Sequence, residues 1–131
     1  MIGLDTNVLV RYLTRDDADQ HRRAQVFLES TCTVENPGYI NIIVLVELVW
    51  VLKAAYGATR AELSNVLEQI LRTRQFEIAR REVVFSALED FKSGSADFSD
   101  CLLGRLNQEA GCTETVTFDR KATLLDGFRS L

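Results

Sequence analysis

"YINIIVLVELVW", residues 39–50, decides how the rest of the chain is read. The run is too long and too uniformly apolar for one strand. It divides at Asn41 into a brief strand and a buried helix, Ile42 to Tyr56, stopped by Gly57. A strand feeding directly into a helix suggests a parallel βαβ unit, and the remaining sequence repeats that alternation. Ile2–Asp5, "FEIA" (76–79) and "TETVTF" (113–118) read as further strands. Helices are expected over "TNVLVRYL" (6–13), over Ala18–Glu29, and after Thr59, where Thr59 and Glu62 form a capping-box pair. Val84, Ala87, Leu88 and Phe91 mark another helix, Asp97–Ala110 a further one, and a last short helix is expected near Asp119. The expected class is therefore α/β, with a mainly parallel sheet covered by helices on both faces.

The chain of 131 residues reads as one domain, 1–131, without repeats or low-complexity tracts. The apolar run is shorter than the roughly 20 residues of a membrane span, and no leader is visible, so a cytoplasmic protein is expected. Three cysteines without Cys-x-x-Cys spacing fit reduced thiols rather than a disulfide framework or a zinc site. A single histidine, His21, leaves no Ser-His or Cys-His hydrolase to build elsewhere. The net charge of −4 argues against coating nucleic acid, although twelve arginines against three lysines leave room for a local basic rim.

Glu47 raises the functional question, because Ile43, Val44, Trp50 and Val51 surround it on the helix. A carboxylate buried there would need a cation. In parallel sheets ligands gather beyond the carboxyl ends of the strands. Asp5 follows the first strand, Asp119 follows "TETVTF", and Asp97 and Asp100 open the preceding helix on one face. Gly104 and Asn107 continue that stripe and keep bulk away from the carboxylates. Asp5 and Asp119 also stand where helix caps are wanted, and Asp97 reads first as a cap with Asp100 as its companion. Clustered carboxylates without histidine or thiolate suit the hard cations Mg²⁺ or Mn²⁺. Such an ion can activate water at a phosphodiester.

Four segments, "LDTNVL" (4–9), "LVELVW" (45–50), "ADFSDCLLGRL" (96–106) and "TFDRKA" (117–122), together resemble a PIN domain, and most closely the VapC-type toxins. The resemblance implies a three-layer α/β/α sandwich on a central, mainly parallel sheet. It also implies an endoribonuclease dependent on Mg²⁺ or Mn²⁺ and acting on structured RNA such as tRNA. The partners implied are a cognate antitoxin and a second copy of the chain in a homodimer. The family's acids fall on Asp5, Glu47, Asp100 and Asp119 as metal ligands and catalytic groups, with Asp97 a further candidate ligand. Thr6, Asn7 and Thr117 would orient carboxylates or waters. Cys101 departs from the alanine more usual after the third acid. A response-regulator receiver, the main rival, fails because "YIN" and "FEIA" end without Asp. A PIN fold with a degenerate site, binding RNA or protein, is disfavoured because all four acids are present.

Overall fold

The computed structural model describes all residues, Met1–Leu131, and packs them as two compact units, Met1–Ala79 and Arg80–Leu131. In the first unit the chain runs β1 (Ile2–Gly3), α1 (Thr6–Leu13), α2 (Ala18–Ser30), β2 (Gly38–Ile40), α3 (Ile42–Tyr56), α4 (Arg60–Arg72) and β3 (Phe76–Ile78). Its strands form a parallel sheet in the order β1-β2-β3, with Ile2 opposite Gly38 and Ile40 opposite Ile78. Ile40 and Ile78 are buried, and with Leu9, Leu45, Leu48, Leu67 and Phe76 they make up the apolar interior.

Punctuation of these helices follows local chemistry. Gly57 adopts φ 64°, ψ 27° and donates its N–H to Leu52, closing α3 in a left-handed conformation that costs glycine nothing. Thr59 and Glu62 satisfy one another's backbone N–H groups at the head of α4, the reciprocal pair that the sequence predicts.

The second unit runs α5 (Arg81–Ser93), α6 (Phe98–Glu109), β4 (Thr115–Thr117), a 3₁₀ turn (Ala122–Leu124) and β5 (Phe128–Ser130). Helices α5 and α6 pack together and bury Val84, Leu88, Phe91, Phe98 and Leu102. The rings of Phe91 and Phe98 meet edge to face, with centroids 5.9 Å apart. Strand β4 pairs in parallel with β5, Val116 opposite Arg129.

The α/β class, the parallel pairing and the helix bounds agree with expectation, but four details differ. The strands divide into a three-stranded and a two-stranded sheet instead of one. The strand "FRS" is absent from the expected elements, because three residues after a glycine carry too little periodicity to register. The expected last helix is only the 3₁₀ turn. Helix α3 is not buried all round: Leu45, Leu48 and Leu52 form the packed stripe, while Ile43 and Trp50 are 65% and 70% exposed. Trp50 therefore lies outside the core. No helix is long and apolar enough to cross a membrane.

Gly104 has a different purpose from the one expected. A Cβ there would stand 2.5 Å from Cε2 of Phe128, so the glycine makes room for the ring of β5 rather than for carboxylates. Gly104→Ala gains about 1 kcal/mol of helix propensity, against roughly 1–3 kcal/mol of overpacking. Denaturant unfolding is expected to show net destabilisation in the wild-type background. It should show stabilisation in a Phe128→Ala background, where the clash is gone. The same sign in both backgrounds would contradict this packing.

Candidate active site

The carboxylates fall into two groups, one in each unit. In the first, Asp5 caps α1 from an extended conformation, and its Oδ1 accepts the Thr6 N–H at 2.7 Å. Thr6 is the one buried polar side chain of the protein, 6% exposed. Its hydroxyl crosses from α1 to α3 and donates to Glu47 Oε2 at 2.9 Å. Sequence-adjacent Asp5 and Thr6 thus stand beside a carboxylate 41 positions away from the threonine. The packing of α1 on α3 makes that meeting possible. Glu47 itself is exposed. The expectation that burial obliges it to meet a cation is therefore corrected: it faces solvent on the flank of α3 and is steered by a hydroxyl. Asn7 lines an open depression of about 880 Å³ with Gly3, Val8, Arg11 and Arg22.

In the second unit Asp97 and Asp100 stand at the head of α6, and Asp119 lies two residues beyond β4. Asp100 is half-buried. Burial first, then the charges of Asp119 and Asp97, push its carboxyl above the ordinary value. Asp97 begins the helix through its backbone carbonyl, which accepts the N–H groups of Asp100 and Cys101 at 3.1 Å each. Its side chain makes no capping bond, so the expectation of a side-chain cap is corrected. Asp119 does cap. Its Oδ1 accepts the N–H of Lys121 at 2.8 Å and of Ala122 at 3.2 Å, while its own N–H is held by Thr117 Oγ1 at 3.0 Å. Asn107, expected beside the carboxylates, donates instead to Thr115 Oγ1 at 2.9 Å.

A cap and a ligand are thus not exclusive. Asp5 and Asp119 each bond the backbone through Oδ1, and Glu47 meets Thr6 through Oε2. No hydrogen bond engages the second oxygen of any of the three. The donor chemistry fits a hard divalent cation, being all oxygen, and the charge on Asp100, opposed by burial and by Asp119 and Asp97, is of the kind that a bound cation would favour. Within neither unit do three His, Cys, Asp or Glu side chains converge tightly enough to enclose an ion.

Other groups are excluded from chemistry. Nδ1 of His21 meets the Arg11 carbonyl at 3.0 Å, and its Nε2 is buried without a partner. Cys32 and Cys101 are buried free thiols. Arg11 pairs with Asp16 at 3.1 Å, and Arg22 and Arg23 lie near Asp19. Phe118, beside Asp119, is 80% exposed, and the expected elements give it no role. An aromatic directly before a candidate acid, in an otherwise β-branched strand, is the one available signal.

These features define the class. The PIN-domain family model matches residues 2–127, a span that contains every acid named above, and the chain belongs to that family. Among individual proteins, it is 27% identical over 128 residues to a VapC ribonuclease of Aquifex aeolicus (strain VF5). That similarity covers 98% of this chain and 93% of the relative.

The Thr6–Glu47 bond gives a direct prediction. In a double-mutant cycle of Thr6→Val and Glu47→Ala, unfolding free energies should couple by about 0.5–1.5 kcal/mol. Thr6→Ser should retain most of that coupling. Additive effects would show that the hydroxyl does not hold the carboxylate in solution.

Proposed function

We propose that this protein is an endoribonuclease dependent on Mg²⁺ or Mn²⁺, the toxin of a bacterial toxin–antitoxin pair, acting on structured RNA with tRNA as one class to test. The observation that carries the reading is the family match over residues 2–127, a span that includes Asp5, Glu47, Asp100 and Asp119, the residues we assign to the acidic site. The name of the Aquifex relative, a ribonuclease, supports the same reaction. On this reading residues 1–131 act as one nuclease domain, cytoplasmic, homodimeric and restrained by a cognate antitoxin. A degenerate, purely binding PIN fold is disfavoured, because such a chain would have no reason to keep four acids.

In this reading Asp5, Glu47, Asp100 and Asp119 hold the cation through carboxylate oxygens, with Asp97 as a further ligand. When bound, the ion supplies the positive charge that polarises a phosphoryl oxygen and acidifies a water. Thr6 keeps Glu47 from turning away, because its hydroxyl is fixed in the buried first turn of α1. Thr117 fixes the backbone of Asp119, so the carboxylate hangs from a rigid turn. Asn7 is assigned a water-orienting role. The chain offers no nucleophile paired with a base, since Cys101 is buried and His21 rests on a backbone carbonyl. Water is therefore the attacking group, in line with the leaving oxygen. The RNA 2′-hydroxyl is not required, and fragments should carry 5′-phosphate and 3′-hydroxyl ends.

Purified protein, freed of any inhibitor, is expected to cut total RNA with Mg²⁺ and to stop on addition of EDTA. Asp100→Asn and Glu47→Gln should each lose at least the roughly 10–100-fold typical of a disturbed metal site, with unchanged secondary structure. Cleavage that survives chelation, or fragments ending in cyclic phosphates, would contradict this mechanism.

A further inference from the structure

We propose that Phe118 is a stacking platform for an unpaired nucleobase, with Arg120 and Lys121 contacting the phosphates on either side of it. The inference rests on the ribonuclease reading above and adds the residues that grip the strand. Phe118 is the most exposed large apolar side chain of the protein, 80% accessible. Water-facing phenyl rings are unfavourable, and mobility does not explain this one. The following residue is tied back by Thr117, whose hydroxyl accepts the Asp119 N–H at 3.0 Å. The turn beyond is tied by Asp119 Oδ1, by the Thr123 hydroxyl on the Arg120 carbonyl at 2.6 Å, and by fully buried Ala122. The ring is thus carried outward on a rigid turn.

Its neighbours indicate the ligand. Arg120 and Lys121 are exposed and make no ion pair, unlike Arg11, Arg105 and Arg129. Arg120 and Lys121, beside Asp119 in a chain of net charge −4, are two cations free to meet phosphates where the overall charge would repel a polyanion. An aromatic face flanked by cations is the arrangement that binds single-stranded nucleic acid: the base stacks and the backbone is neutralised. A protein-docking patch would share the exposed ring and the arginine, but Lys121 and Asp119 beside them are of the types depleted at interface centres. Stacking is tolerant of base identity, so this site would fix where a strand lies and not which base it carries.

The test uses the Asp100→Asn background, so that bound strands are not cut. Fluorescence anisotropy compares a short single-stranded oligoadenylate with a ribose-phosphate strand of equal length lacking bases. The protein should prefer the base-bearing strand by roughly tenfold or more. Phe118→Ala should erase that preference, and Phe118→Tyr should keep it. Arg120→Gln with Lys121→Gln should weaken both strands alike and flatten the salt dependence, by about 0.7 in slope for each phosphate that is no longer neutralised. A preference that persists in Phe118→Ala, or failure of both strands to bind at low salt, overturns the proposal. So does a change in solution mass on Phe118→Ala with RNA preference intact, which would make Phe118 a protein-docking residue. Because binding is read without cleavage, an inactive wild type would sink the nuclease reading and leave this result standing on its own.

Discussion

A carboxylate drawn partly out of water beside two others carries its charge at a cost, and Asp100 is that carboxylate. Burial raises its pKa first, and Asp119 and Asp97 add to the effect. The fold does nothing to relieve this. No arginine or lysine pairs with Asp100, although Arg105, on the same helix, is committed to Asp90 at 2.7 and 2.9 Å. The cation little more than one turn away is thus committed elsewhere, and Asp100 has no side-chain ion pair.

The same economy governs the other acids. Asp5 and Asp119 each answer a local backbone need with one oxygen, which fixes the carboxylate and keeps its second oxygen clear. Glu47, on a helix without such a need, is steered by Thr6 instead. Short turns following strands therefore do two things at once: they start the next helical turn and aim an acid. Mobility would defeat this, since an acid that must first be ordered binds a cation less well.

How much of this is legible in the sequence depends on whether the determinant is local. Helix ends are readable because Gly57, Thr59 and Glu62 act within a few residues of themselves. Asp5 and Asp119 are readable as residues that follow strands because those positions depend only on chain order. Exposure is not. Helix α3 is apolar on every face, so its sequence does not say that Leu45, Leu48 and Leu52 pack while Ile43, Glu47 and Trp50 look outward. Gly104 misleads for the same reason, because its partner Phe128 lies in a strand too short to announce itself. The Thr6–Glu47 bond joins residues far apart in the chain, and only the family resemblance points to Thr6 as a supporting group.

If Asp5, Glu47, Asp100 and Asp119 serve one divalent cation, distant substitutions must disturb the same binding event. Mn²⁺ binding followed by electron paramagnetic resonance tests this on the intact chain, comparing wild type with Asp5→Asn and, separately, Asp119→Asn. Either substitution is expected to weaken the same event by at least the roughly 10–100-fold of a disturbed metal site. Wild-type affinity retained in either variant would contradict a shared cation.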